Sequence, residues 1–306
     1  MKNSYTRPIT LDQANALRER LEEMDFEFKE RQYTVFAASK DKLQVSVYEK
    51  GPKVLIQGKA TENFVKFTLE PEILGVAELG YEEVNNPEMF SPHIGVDESG
   101  KGDFFGPLVI AGVFINADSA RHLLDAGIQD SKRITSDKRI RTLSEIIRDT
   151  PGLTHDIISL GPERYNELYK KFGNLNRLLA WGHAAVIENI LTLIPRCPMA
   201  ISDQFANPEL LQRSLGERGK KIDLRQRHKA EADVAVAAAS ILARERFVNW
   251  LDQTGERAGT TLPKGASESV IEAGIEIANR HGSDVLKKVG KLHFKTAGEI
   301  LARAKT

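Results

Sequence analysis

Residues 95–102 read Gly95-Val96-Asp97-Glu98-Ser99-Gly100-Lys101-Gly102. An apolar strand over Ile94 to Val96 delivers two adjacent carboxylates into a basic turn bracketed by glycines. Alternation along a strand sends neighbouring side chains to opposite faces, so both acids reach one site only if the strand ends beside them. Glycine leaves the backbone N–H groups bare enough for a phosphate or a sugar to come close, and Lys101 adds positive charge. Taken on its own the octet fits a plain solvated turn better than a catalytic site. A functional reading needs partners elsewhere in the chain.

Two partners stand downstream, each at the expected end of an element. Pro198-Met199-Ala200-Ile201-Ser202-Asp203 reads as a short buried strand with a carboxylate at its tip. Lys229-Ala230-Glu231-Ala232-Asp233 leads into the alanine-rich run Val234 to Arg244, which places Asp233 in the first turn of a buried helix. Ordinary capping explains either acid alone. Asp97, Glu98, Asp203 and Asp233 together are best explained as hard oxygen ligands, because unneutralised carboxylates at close quarters repel and raise one another's pKa values. Four acids could hold a pair of divalent ions about 3.5–4 Å apart, an arrangement suited to phosphodiester hydrolysis.

The order of these pieces resembles the type 2 ribonucleases H and, within them, bacterial ribonuclease HIII. The matching segments are Gly95 to Gly102, Asp130-Ser131-Lys132, Ile201-Ser202-Asp203, Ala232-Asp233 with Ala237 to Ala243, and Leu262-Pro263-Lys264-Gly265-Ala266-Ser267. The resemblance implies an α/β ribonuclease H-like catalytic domain with Asp97, Glu98, Asp203 and Asp233 as catalytic metal ligands. Two ions, Mg²⁺ or Mn²⁺, are implied, with Asp97 bridging them. Gly100, Lys101 and Gly102 occupy the family's Gly-basic-Gly motif, which reads ribose 2′-hydroxyls, the groups that separate RNA from DNA. Ser131 and Lys132 are implied substrate contacts. Capping by Ser136 and Asp137 ahead of a helix to about Arg148 is the other reading of that loop.

Within the type 2 enzymes, ribonuclease HII carries a C-terminal tyrosine that recognises an RNA–DNA junction. Here the last tyrosine is Tyr169, ahead of both Asp203 and Asp233, and Lys101 stands where HII usually has arginine. Both features point to HIII. The implied activity is endonucleolytic hydrolysis of the RNA strand of RNA–DNA hybrids, leaving 5′-phosphate and 3′-hydroxyl ends. Competing readings are a structure-specific DNA nuclease or resolvase, and a hybrid-binding protein whose acids hold a structural ion. Both leave part of the motif order unexplained.

The chain has 306 residues, enough for about two domains. Apolar residues make up 41%, sufficient for packed cores, and no apolar run approaches the ~18 residues of a membrane span. Residues 1–5 are not followed by an export segment. Cys197 is the single cysteine, and no internal disulfide is possible. A cytoplasmic monomer is the expectation.

Basic and acidic residues balance at 43 each, but their distribution is uneven. From Lys29 to Lys59 there are seven basic residues against three acidic ones, whereas Glu70 to Glu88 carries six glutamates and no basic residue. The basic stretch also contains three expected strands, Tyr33 to Ala38, Leu43 to Tyr48 and Lys53 to Gln57, flanked by helices over about Thr10–Met24 and Thr61–Leu69. Residues 1–75 are therefore expected to form a small α+β unit, 76–90 an acidic linker, and 91–306 the catalytic domain. The resemblance implies that the first unit is TATA-binding-protein-like and binds substrate. Its lysines, with Tyr33 and Tyr48, suit a nucleic-acid backbone, while Phe36 is expected in its core.

Overall fold

A computed structural model describes residues 3–128, 134 and 136–304, the side chain of Glu82 excepted. The chain forms two compact units, Met1–Glu88 and Met89–Thr306.

In the first unit, β1 (Ser4–Pro8) leads into α1 (Leu11–Glu23). Thr10 caps α1 in a reciprocal box with Gln13, satisfying N–H groups that the first helical turn leaves without partners. Strands β2 (Glu27–Lys29), β3 (Thr34–Lys40), β4 (Leu43–Tyr48) and β5 (Lys53–Gly58) follow. The antiparallel sheet has the order β1-β5-β4-β3-β2. Its edges β1 and β2 escaped the sequence reading, because five polar-rich residues and three residues carry too little alternation to register.

Period-2 alternation sends Phe36, Ala38, Val45, Val47, Val54 and Ile56 inward against Leu17 and Leu21 of α1. Fully burying a residue such as Val47 or Ile56 contributes about 1.5–3 kcal/mol. The helix expected over Thr61–Leu69 begins as α2 (Thr61–Phe64) and widens into a π-type segment, Val65–Leu74. Pro71 lies inside that segment, and its missing N–H prevents an ordinary helical ladder there.

The acidic stretch expected as a linker is anchored at its start. Buried Glu70 accepts the N–H groups of Glu78 and Leu79, both at 2.8 Å, and Leu79 packs into the first core. A short helix α3 (Glu82–Asn85) follows, and the division between units falls after Glu88.

In the second unit, β6 (His93–Ser99) and β7 (Leu108–Ile115) pair antiparallel, and β8 (Thr154–Leu160) joins β7 after α4 (Ala117–Asp125) and α5 (Asp137–Asp149). Then come α6 (Pro162–Phe172), α7 (Leu175–Leu193), β9 (Met199–Asp203), α8 (Pro208–Ser214) and β10 (Asp223–Arg227). β9 pairs parallel with both β6 and β10, giving a mixed sheet of order β10-β9-β6-β7-β8. Helices α9 (Val234–Ala258), α10 (Glu268–His281), α11 (Leu286–Val289) and α12 (Lys295–Arg303) complete the chain.

Helix α9 covers one face of this sheet and α7 the other, so all eight residues of β7 are buried. Every residue from Val234 to Ala243 is buried, as expected of a helix with apolar and small residues all round. Its alanines allow unusually close approach to β6. A Cβ on Gly95 would lie 2.2 Å from the Val236 nitrogen, so only glycine fits at that crossing.

Candidate active site

The strand β6 does not stop at Val96 as expected but stays paired with β7 through Ser99. Asp97 and Glu98 therefore obey strand alternation and leave the sheet on opposite faces. Asp97 turns toward α9, where Ser240 hydrogen-bonds to its carboxylate. One of its oxygens also accepts the Glu98 N–H at 2.8 Å. Glu98 turns toward α7, where Oε2 lies 3.0 Å from Nε2 of fully buried His183. Its Oε1 lies 3.4 Å from the Lys101 ammonium.

Asp203 ends β9 one step beyond the parallel pair Val96↔Ser202, which brings it beside Asp97 at the same edge of the sheet. Its Oδ1 accepts the Ala230 N–H at 3.2 Å. His183 links these strand ends, because its Nδ1 lies 3.0 Å from the Ser202 hydroxyl while its Nε2 faces Glu98. The ring also packs against Phe205, with centroids 4.8 Å apart, and the Lys101 ammonium lies over the Phe205 ring, 5.7 Å from its centroid.

The electrostatics express this crowding. Burial, and next the charge of Glu98, push the Asp97 carboxyl up to about 7; Asp203 adds to the rise, while the Ser240 and Glu98 N–H hydrogen bonds oppose it. Burial also acts to raise Glu98, but the His183 hydrogen bond and charge, with Lys101, outweigh it and hold Glu98 below the usual carboxylate range. One acid is thus disposed to carry a proton and its neighbour to stay ionised. Among the described residues, no three His, Cys, Asp or Glu side chains are drawn tightly enough together to hold a metal in this conformation. The donor chemistry of Asp97, Glu98 and Asp203 nevertheless fits a divalent cation, whose charge would remove the mutual repulsion that raises Asp97.

Asp233 does not join them. It is the N-cap of α9, not a first-turn residue, and its Oδ1 accepts from the backbone of Ala235 and Val236 at 2.9 and 3.2 Å. Both of its oxygens also lie 3.1 Å from Nε2 of His93, the first residue of β6. His93 stands four positions before Asp97, a separation of roughly 13 Å along a strand. Capping chemistry, weighed as the ordinary explanation for this acid, is what occupies it. The turn that does touch the cluster lies earlier, at the short 3₁₀ segment Ala230–Ala232, where the Ala230 N–H holds Asp203 and Glu231 follows directly.

The glycine turn is shaped as the sequence suggests. Gly100 has φ of 84°, and a Cβ there would lie 2.2 Å from the Pro107 carbonyl oxygen. Exposed Gly102 has nothing within 4 Å of where a Cβ would stand, so its backbone is open to a ligand. Lys101 is only half-withdrawn, turned in toward Glu98. Asp130, Ser131 and Lys132 lie outside the described residues, although Ser136 does cap α5 by accepting the Arg139 N–H.

Ser240 and His183 are the contacts of the acids that sequence reasoning passed over. Ser240 is the only hydroxyl in an otherwise apolar helical run, and His183 follows Gly182 on the apolar helix α7; an isolated polar residue on a buried helix was the available signal in both. His293 stacks on Tyr169 at 4.3 Å between ring centroids.

A mixed five-stranded sheet with acids at the adjoining ends of β6 and β9, helices on both faces and a glycine turn beside the acids defines the ribonuclease H-like class. The family description "Ribonuclease HII" matches residues 94–297. Ribonuclease HIII of Protochlamydia amoebophila is 42% identical over 299 residues, covering 98% of this chain and 97% of its own. Ribonuclease HIII of Chlamydia pneumoniae is 46% identical over 294 residues, covering 95% and 96%. Among solved structures, Bst-RNase HIII in complex with Mn2+ superposes with a TM-score of 0.68 at 27% identity, covering 99% of both chains. RNase H3 of Aquifex aeolicus gives 0.55 at 28% identity, covering 94% of this chain and 99% of its own. The chain belongs to the ribonuclease HIII family.

Proposed function

We propose that this protein is an endonuclease that hydrolyses the RNA strand of RNA–DNA hybrids at the site formed by Asp97, Glu98 and Asp203. The observation that carries the reading is the electrostatic proximity of Asp97 to Glu98 and Asp203 at the ends of β6 and β9, beside the Gly100–Gly102 turn. Relatives of near-equal length named ribonuclease HIII support it. Divalent ions, two of them and Mg²⁺ or Mn²⁺, would supply water activation and stabilisation of the leaving oxygen, giving 5′-phosphate and 3′-hydroxyl products. A solved relative that contains Mn2+ supports the metal requirement.

The chain's own groups have distinct tasks. Asp97, Glu98 and Asp203 offer oxygen ligands, and Glu231 takes the fourth acidic position assigned earlier to Asp233, since its turn is the one packed against Asp203. His183 holds Glu98 in place, and Ser240 does the same for Asp97. The backbone of Gly100 to Gly102 reads ribose 2′-hydroxyls, with Lys101 near the phosphates and Ser131 and Lys132 as further substrate contacts.

The first unit binds the hybrid. Its sheet face opposite α1 carries Ala37, Ser39, Gln44, Ser46, Tyr48, Lys53, Leu55 and Gln57, and the Lys53 ammonium lies 5.9 Å from the Tyr48 ring centroid. Small residues, amides, one aromatic and a cation suit a sugar–phosphate backbone read without base specificity. No helix among the described residues is long and apolar enough to cross a membrane, and we place the protein in the cytoplasm as a monomer.

The deciding assay uses labelled hybrids with one, two or four ribonucleotides and the matching DNA duplex, each with Mg²⁺ or Mn²⁺. Cleavage confined to strands with ribonucleotides supports the reading, and equal cutting of the DNA duplex rejects it.

A further inference from the structure

Lys291 is fully buried, an unusual place for an ammonium group. It follows α11, in a segment remote in sequence from the acids. Its Nζ donates to the carbonyl oxygens of Asp103 at 2.8 Å, Gly106 at 2.7 Å and Phe105 at 3.3 Å. An ammonium has three N–H donors, so this one is fully matched by a single short loop. The rings of Tyr165 and Phe247 flank it, with centroids 5.7 and 6.0 Å away. Burial pulls this ammonium down to about 7, and the Asp103 carboxylate opposes that shift.

The loop so gripped is the continuation of the glycine turn. Backbone bonds fasten it further: Gly106 N–H to the Val289 carbonyl at 3.0 Å, and Lys291 N–H to the Phe104 carbonyl at 2.9 Å. From the other side the Asp103 carboxylate accepts the Gly265 N–H at 2.6 Å, while the Phe104 N–H donates to the Gly265 carbonyl at 2.9 Å. Gly265 belongs to the Leu262 to Ser267 motif, whose purpose the sequence alone left open. Two C-terminal segments thus clasp residues 103–106 on either side.

We propose that Lys291 is a positioning residue for ribose recognition: its ammonium organises the Asp103–Gly106 carbonyls and thereby fixes the backbone of Gly100–Gly102 in its hybrid-binding form. This rests on the functional reading given above for that turn. Replacing Lys291 with an apolar side chain of similar length would leave three carbonyl oxygens without a donor, and the loop would relax toward solvent. Loss of a preset binding geometry weakens binding of substrate and transition state alike, which raises KM and leaves kcat nearly unchanged.

The test compares full-length wild type with Lys291→Met on a hybrid containing four ribonucleotides, and measures binding to the hybrid and to the matching DNA duplex. The expected result is a rise in KM of about tenfold, kcat within about twofold, and a matching fall in preference for hybrid over DNA duplex. Unchanged KM and preference, or a fall in kcat alone, would overturn the proposal and reduce Lys291 to a structural tie. Should the variant not fold, amide exchange in the wild type decides: residues 104–106 must be protected as strongly as β6, and rapid exchange there overturns it. Failure of the wild type to cut hybrids would reject the functional reading instead, and the exchange result would still report on the Lys291 clasp.

Discussion

His93 and Asp233, 140 residues apart, form a buried pair in which the imidazole Nε2 lies 3.1 Å from both carboxylate oxygens. The other ring nitrogen faces the Ser91 carbonyl at 2.7 Å. Both partners are acceptors, so both ring nitrogens must donate and the ring is held as the imidazolium. Burial alone would lower its pKa, but the Asp233 hydrogen bond and charge outweigh burial and raise it. Asp233 thereby starts α9 and secures the beginning of β6. Asp233→Ala should cost about 3–5 kcal/mol in chemical denaturation, as expected for stranding one member of a buried pair. Asp233→Asn should cost less and still cleave hybrid within about fivefold of wild type at saturating metal. Loss of activity in a folded Asn variant would return Asp233 to the metal site.

The same pair fixes a dependence of stability on pH. Below the ordinary histidine value of 6.5, His93 is protonated in both the folded and unfolded chain, and its contribution is complete. As pH rises through the higher folded value the contribution is lost. The difference in thermal midpoint between wild type and His93→Gln should therefore narrow as pH rises above the ordinary histidine value of 6.5. A constant or widening gap would contradict a charged His93.

Asp97→Asn should reduce cleavage by at least about a hundredfold while leaving hybrid affinity within about threefold, since it removes an acid from the centre of the cluster and keeps its size. Single-turnover kinetics together with a binding titration separates the two effects. Full activity at saturating metal would reject the site.

Glu231→Gln should lower turnover by about tenfold or more with little change in thermal midpoint. Comparison with Asp233→Asn, which should show the opposite pattern, tests which acid of this turn serves the chemistry. The sequence could not separate them, because the spacing of two acids around one helix start differs by less than the uncertainty in where that helix begins. The contacts that separate them are long-range: His93 lies against Asp233, and Asp203 accepts the N–H just before Glu231.

Other parts were legible for local reasons. Thr10 marks a helix boundary through a cap that acts within a few residues, and the alternation of Leu43 to Tyr48 set an entire strand. The run from Gly95 to Gly102 marked the turn and the adjacent carboxylates Asp97 and Glu98 as candidates. Hidden from that reading were His183, Ser240 and Lys291, whose roles depend on partners far away in sequence. The persistence of β6 through Ser99 was hidden too, because pairing with β7 overrides the turn propensity of Ser99-Gly100.

Metal affinity should rise with pH through about 7, because a proton on Asp97 competes with the cation and must leave when it binds. Mn²⁺ titrations of the wild type, read by calorimetry at several pH values in buffers of different ionisation heat, should show proton release that fades as pH climbs past that point. Release that is absent throughout would mean Asp97 is already ionised before the ion arrives.

Removing residues 1–88 should weaken hybrid binding by about tenfold or more and flatten its salt dependence, with turnover at saturating substrate changed far less. Fluorescence anisotropy at several salt concentrations gives both quantities. Equal affinity and equal salt slope for the shortened protein would remove the first unit from substrate binding.

The crossing at which Gly95 meets Val236 governs when the enzyme can come into being. The strand bearing two of the acids leaves the ribosome long before the helix that must lie on it, and the clasp from Lys291 arrives later still. A nascent chain, or a product of premature termination, therefore carries the acids without the scaffold that arranges them. A chain that ends before α9 has Asp97 and Glu98 but lacks Ser240, which hydrogen-bonds to Asp97.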